Sequence, residues 1–207
     1  MLLHHSNQVA VHDLSVRNGD WSSHEDWTYT LTPIREWYGK TMGIIGMGNI
    51  GSCFAGMAGS MGMQIIYHHT RDLQLLNRRF VDLETLAQTA DVISLHCPLN
   101  DGTDKLINDG FLSLMKTTAI LINTSRGGLI DTMALRKALQ AKSIAAALLD
   151  VLEKEPPPSD HPLIGLPNAI ITPHIAWISF EARQRIAETI ADIIRSFKEN
   201  MLINRVS

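Results

Sequence analysis

The chain has 207 residues, 45% of them hydrophobic, with 18 basic against 21 acidic side chains and a formal net charge of −3. That length suits one domain or one and a half, enough to bury a core without disulfides or metal. A pI of about 6.3 speaks against a nucleic-acid or membrane-surface footprint, and a charged fraction of only 19% speaks against disorder.

Residues 2–16 carry a weak helical pattern, and the polar stretch after it holds Trp21, Trp27, Tyr29, Trp37 and Tyr38. Tryptophans in a polar connector either anchor a partner surface or cover the domain's own edge. The opening MLLHHSNQ lacks the basic and continuous apolar regions of a signal peptide. From residue 40 short apolar runs alternate with helical patterns. Strands are predicted at 41–46, 63–68, 91–96, 118–123, 144–151 and 168–172. Helices are predicted at 49–61, at 83–90 with Asp82 as cap, near 111–115, and at 133–141 with Asp131 or Thr132 as cap. This alternation predicts an α/β fold with a doubly wound parallel sheet of Rossmann type. A helix at 178–200 closes the chain, with Ala182, Ile186, Ile190, Ile193, Ile194 and Phe197 on one face. The longest apolar runs, such as IAAALL at 144–149, are too short to cross a bilayer. Cys53 and Cys97 form no CxxC pair, so reduced thiols and a cytoplasmic setting are expected.

GMGNIG at 46–51 follows a predicted strand and opens a predicted helix. In that context Gly46, Gly48 and Gly51 allow a tight turn and close backbone approach to a pyrophosphate, with Asn49 and Ile50 offering amides. The acid that would hold the adenosine ribose is absent from the tip of the second strand, which reads Tyr67-His68-His69-Thr70-Arg71-Asp72. Arg71 and His69 would attract a 2′-phosphate, which favours NADP(H). The other reading leaves Arg71 solvated and gives the ribose to Asp72, hence NAD(H). Adjacent strand histidines point to opposite faces, so no metal site is expected.

The chemically loaded residues follow successive strands: Arg126 in NTSRGG, Asp150 and Glu155 in DVLEKEPP, His174 in TPHIAW. Each alone has an ordinary explanation, as a turn cation, a solvated loop acid or a buried histidine. Together, at the carboxyl edge of a parallel sheet, they read as a reaction set. Arg126 can grip a carboxylate through paired hydrogen bonds. His174 can give a proton to a carbonyl oxygen as hydride reaches carbon. Glu155 would orient that ring and raise its pKa, and Asp150 could accept from a nicotinamide carboxamide. Such a set is suited to reducing a 2-keto acid.

GKTMGIIGMGNIG (39–51), SLHCPLNDGT (94–103), INTSRGGLID (122–131), LLDVLEKEPP (148–157) and ITPHIAWISFEAR (171–183) resemble, in order, the motifs of the D-isomer-specific 2-hydroxyacid dehydrogenases. PHIAW followed by EAR inclines the resemblance toward the branch acting on hydroxypyruvate and glycerate, or glyoxylate and glycolate. It implies an NAD(P)-dependent oxidoreductase with Arg126, Glu155 and His174 as the catalytic set. It also implies cofactor contacts at Asn49, Ile50, Cys97, Pro98, Thr103, Thr124, Ser125, Arg126, Asp150, His174 and Trp177. Residues 1–38 resemble the family's connecting helix and dimerisation arm, 39–176 its dinucleotide-binding domain, and 177–207 a C-terminal helix returning to a substrate lobe. A homodimer through 15–38 and the cofactor domain is implied. Most of the substrate lobe is not matched, so weak activity, or a non-catalytic nucleotide-binding dimer module, is the competing expectation.

Overall fold

The computed structural model describes residues 1–201, 203 and 204. The end of the expected C-terminal segment, 202 and 205–207, lies outside the described residues. The chain divides into two compact units, Met1–Ile171 and Thr172–Ser207.

The first unit opens with helices α1 (Leu2–Asn7) and α2 (Val9–Arg17). One continuous helix over 2–16 was expected, but Gln8 adopts a left-handed conformation, φ 42° and ψ 45°, and splits it. His12 sits across the break, its Nδ1 on the Gln8 carbonyl at 3.0 Å and its Nε2 receiving the Leu31 N–H at 3.2 Å. The connector after α2 is tied back by the Tyr29 hydroxyl, 2.8 Å from Ser15 Oγ. Its tryptophans differ in burial. Trp37 packs on the core around Met42 and Ile44. Trp21 and Trp27 are 51% and 85% exposed, joined by the Trp21 indole N–H on the Trp27 carbonyl at 3.0 Å.

The body of the unit is β1 (Thr41–Ile45), α3 (Asn49–Ser60), β2 (Gln64–His68), β3 (Arg78–Phe80), α4 (Leu83–Thr89), β4 (Val92–Leu95), α5 (Asp109–Leu114), β5 (Ile120–Asn123), α6 (Thr132–Gln140), β6 (Ala146–Leu149) and β7 (Ala169–Ile171). They form one seven-stranded sheet in the order β3-β2-β1-β4-β5-β6-β7, every pairing parallel. β3 was not expected; it is an edge strand of Arg78, Arg79 and Phe80, with no apolar run to betray it.

Alternation along the strands sends side chains to two cores. Met42, Ile44, Val92, Ile120, Ile122 and Leu148 face one. Ile45, Ile93, Leu95, Leu121, Ala147 and Leu149 face the other, beneath α4, α5 and α6. Each buried Leu or Ile contributes about 1.5–3 kcal/mol relative to exposure, which makes the double burial the main stabilising term. Helix starts are capped as the residue types dictate. Asp82 accepts from Thr85 N–H at 2.7 Å, Asn108 from Phe111 N–H at 3.1 Å, and Asp131 from Met133 and Ala134 N–H, both at 3.0 Å. Asp131 rather than Thr132 is therefore the cap of α6.

The second unit contains α7 (Phe180–Lys198), whose Ser179 cap accepts from Ala182 N–H at 3.1 Å. None of its residues is buried: Ile190 and Ile194 are each 52% exposed and Phe197 is 70%. No described helix is long and apolar enough to cross a membrane.

Candidate active site

The turn from β1 into α3 is built on glycine for steric reasons. Gly46 has φ +96°, and a Cβ there would stand 2.5 Å from the Cys97 backbone nitrogen. A Cβ on Gly51 would stand 2.1 Å from the Gly46 carbonyl oxygen. These two residues let the turn lie flat against the 96–97 backbone and let α3 approach β1. Gly48 differs: a Cβ there meets nothing within 4 Å. It is the N-cap of a 12-residue helix and has no side chain to satisfy the first amides. A helix N-terminus with bare N–H groups beside an open glycine matches what a pyrophosphate needs. Asn49 and Ile50 are both exposed there.

Beyond β2 the chain turns around a buried tyrosine. The Tyr67 hydroxyl donates to Asp72 Oδ1 at 2.6 Å and accepts the Leu73 N–H at 3.0 Å, while Gln74 N–H also reaches Asp72 Oδ1 at 2.8 Å. The Tyr67 bond, then the Gln74 amide, hold the Asp72 carboxyl below its usual range, while burial and Asp72 push Tyr67 up. Asp72 is thus engaged by its own loop. His68 is turned inward, with Nδ1 on the Val81 carbonyl at 3.1 Å and its ring stacked on Phe80. Among the described residues, no group of three or more His, Cys, Asp or Glu could hold a metal ion.

The ends of β4, β5 and β6 are joined by hydrogen bonds that sequence patterns do not reveal. Asn123, with no exposed surface, accepts Ser125 N–H on Oδ1 at 3.0 Å and donates from Nδ2 to the Arg126 carbonyl at 2.8 Å. Its own carbonyl accepts Asp150 N–H at 2.9 Å. Ser125 Oγ donates to the Cys97 carbonyl at 2.8 Å, linking this turn to the one beneath Gly46. Thr103 closes the intervening loop through its hydroxyl, 2.6 Å from the Pro98 carbonyl. Arg126 is exposed, steadied by a 2.7 Å bond from Nη1 to the Ser125 carbonyl. Thr124, between Asn123 and Ser125, is partly exposed on the same turn.

Gly127 next to Arg126 lies directly on the following turn, where a Cβ would fall 1.9 Å from the Leu152 carbonyl carbon. In that turn Glu155 Oε1 accepts the Leu152 N–H at 2.9 Å. Asp150 is 2% exposed. The loops of Gly46, Cys97, Ser125–Arg126 and Leu152–Glu155 are therefore contiguous within the first unit. His96, under Gly46, bonds Ser94 Oγ through Nε2 at 2.9 Å, and burial lowers its pKa to about 4. In the second unit His174 has φ +54°, unusual for a side chain with a Cβ, and its N–H meets the Thr172 carbonyl at 3.0 Å. Trp177, 50% exposed, follows in that unit.

The order β3-β2-β1-β4-β5-β6 with a glycine turn after β1 defines a dinucleotide-binding α/β domain, and the cradle at Gly48 fits such a cofactor. The chain belongs to the D-isomer specific 2-hydroxyacid dehydrogenases: the family's NAD binding domain matches residues 1–176. Hydroxypyruvate reductase of Blautia hydrogenotrophica is 38% identical over 210 residues, covering 100% of this chain and 65% of that protein. Glyoxylate reductase of Korarchaeum cryptofilum is 41% identical over 202 residues, covering 96% of this chain and 60% of that protein. Among solved structures, an acyclic imino acid reductase in complex with NADPH and D-Arg superposes with a TM-score of 0.87 at 34% identity, covering 100% of this chain and 65% of that one. The chain thus spans under two thirds of the length of these relatives.

Proposed function

We propose that this chain takes part in NAD(P)H-dependent reduction of a small 2-keto acid, hydroxypyruvate or glyoxylate, to the 2-hydroxy acid. The observation that carries this reading is the contiguity of the glycine turn, the Ser125–Arg126 turn and the Glu155 turn on one sheet edge, in a chain of this family. When bound, the cofactor supplies the hydride. Gly46, Gly48, Asn49, Ile50 and Gly51 are assigned to its phosphates. Cys97, Pro98, Thr103, Thr124, Ser125, Asp150 and Trp177 are assigned to positions around it. Arg126 pairs with the substrate carboxylate and draws electron density from the adjacent carbonyl. His174 delivers the proton to the carbonyl oxygen, and Glu155 orients it. Residues 1–38 are assigned as connecting helix and arm, 39–176 as cofactor domain and 177–207 as C-terminal helix.

NADP(H) is the favoured cofactor. Arg71 and His69 supply the basic groups for a 2′-phosphate in the loop after β2, and the one carboxylate at 67–72, Asp72, already accepts on Oδ1 from Tyr67 and Gln74, which supports this reading. We assign the exposed Trp21 and Trp27 to the arm of a homodimer, testable by sedimentation at micromolar concentration, where a monomer contradicts it. The thiols of Cys53 and Cys97 are unpaired, which supports a cytoplasmic setting. Purified chain mixed with NADPH and hydroxypyruvate should consume NADPH in a reaction abolished by Arg126→Ala. Turnover unaffected by that substitution contradicts the assignment. A chain that binds NADPH yet never turns over favours the alternative, a nucleotide-binding dimer module.

A further inference from the structure

Outside the residues assigned to the reaction lies a buried histidine that faces a carboxylate on the Glu155 turn. His161 is 4% exposed. Its Nδ1 accepts the Leu163 N–H at 3.3 Å, and its Nε2 stands 3.2 and 3.3 Å from the two Glu153 carboxylate oxygens. An N–H aimed at Nδ1 requires that nitrogen to be bare, so Nε2 carries the proton and donates to Glu153. Burial pushes the Glu153 carboxyl up, but hydrogen bonds from Thr132, from its own backbone N–H and from His161 outweigh this and hold it below its ordinary range. Thr132 is the first residue of α6, the helix that follows the Arg126 turn.

The backbone around Glu153 is also the surface on which Gly127 rests, 2.3 Å separating a Gly127 Cβ from the Glu153 nitrogen. Two residues on, Glu155 closes the turn through the Leu152 N–H at 2.9 Å. We propose that His161 and Glu153 form a latch that fixes the Glu155 turn against the Arg126 turn, making both of them positioning residues for the site. A purely mechanical contact could be apolar. Here a carboxylate faces a buried ring nitrogen at 3.2 Å, which fixes direction as well as distance. Catalytic groups misplaced by about 1 Å lose up to 100-fold in rate, so such a latch acts on turnover. The inference rests on the proposed reaction for its kinetic consequence and on geometry alone for its structural one.

Two measurements keep these separate. Amide exchange read by NMR should show Leu152 and its turn exchanging about tenfold faster in Glu153→Ala, with β6 amides unchanged. In kinetics with NADPH and hydroxypyruvate, Glu153→Ala should lower kcat about tenfold, with NADPH affinity within about twofold of wild type. Glu153→Gln, which keeps an acceptor oxygen for His161, should recover most of both losses. Glu153 is half-exposed, its side chain 41% accessible, so its variants test the latch even where His161→Phe does not fold. Unchanged exchange at Leu152 overturns the latch, as does a kcat loss matched by equal loss of NADPH binding and melting temperature. A wild-type chain without turnover counts against the reaction, and the exchange result then decides the latch.

Discussion

The Tyr67 hydroxyl donates a 2.6 Å hydrogen bond to Asp72 Oδ1, and this bond ties the one carboxylate near the tip of β2 into its own loop. In the proposed NADP(H) reading, Arg71 and His69 face the adenosine end of the cofactor. Tyr67→Phe should release Asp72 and narrow the preference for NADPH over NADH. Arg71→Ala should weaken NADPH by about tenfold or more and NADH little, since a charge-assisted phosphate contact is lost in one case only. Fluorescence titrations with both nucleotides check this, and equal losses refute it.

Asn123 should prove as sensitive as the residues assigned to the reaction. Its carboxamide serves Ser125 N–H and the Arg126 carbonyl at once, in a fully buried position. Asn123→Ala leaves both groups short of a partner and should cost about 1–3 kcal/mol in urea unfolding. It should also lower turnover more than it weakens cofactor binding, because the backbone it holds carries Arg126. Wild-type stability and turnover in this variant refute the role.

Much of the fold is legible because parallel strands buried on both faces read as apolar runs. TMGII, QIIYH, VISL, ILIN and AALL stand out for that reason. β3 does not, since Arg78 and Arg79 lie on an edge where no second neighbour demands apolar side chains. The break at Gln8 is invisible because glutamine is an ordinary helix residue, and its left-handed backbone is set by the contacts around it. Within the candidate site, the residues assigned to chemistry are picked out by type and place after strands. Those that position them are not. Nothing in the type of Asn123 tells that it holds the Ser125–Arg126 turn, nor in the type of Tyr67 that it bonds Asp72. The bond of the Thr103 hydroxyl to the Pro98 carbonyl is likewise not legible in the sequence.

His96 makes acid stability a local property of the β4 end. Burial lowers its pKa to about 4, from 6.5 in the unfolded chain. Between these values the unfolded state binds more protons, so stability falls as pH drops through 6.5 and stops falling near 4. The loss between pH 7 and 4.5 should be on the order of 2–3 kcal/mol. In urea titrations His96→Gln should flatten that slope, and an unchanged slope shows that the acid sensitivity originates elsewhere.

Cofactor binding is assigned above all to the turn at Gly48, where an added side chain meets no protein atom within 4 Å and the backbone, at φ −77°, suits any residue. Gly48→Asp should therefore leave folding intact while placing a negative charge where the pyrophosphate is to bind. Calorimetric titration with NADPH measures this directly. Wild type should bind one NADPH per chain, and Gly48→Asp, with an unchanged melting temperature, should show no saturable binding. A variant that binds NADPH as tightly as wild type contradicts the assignment of this turn as the cofactor site.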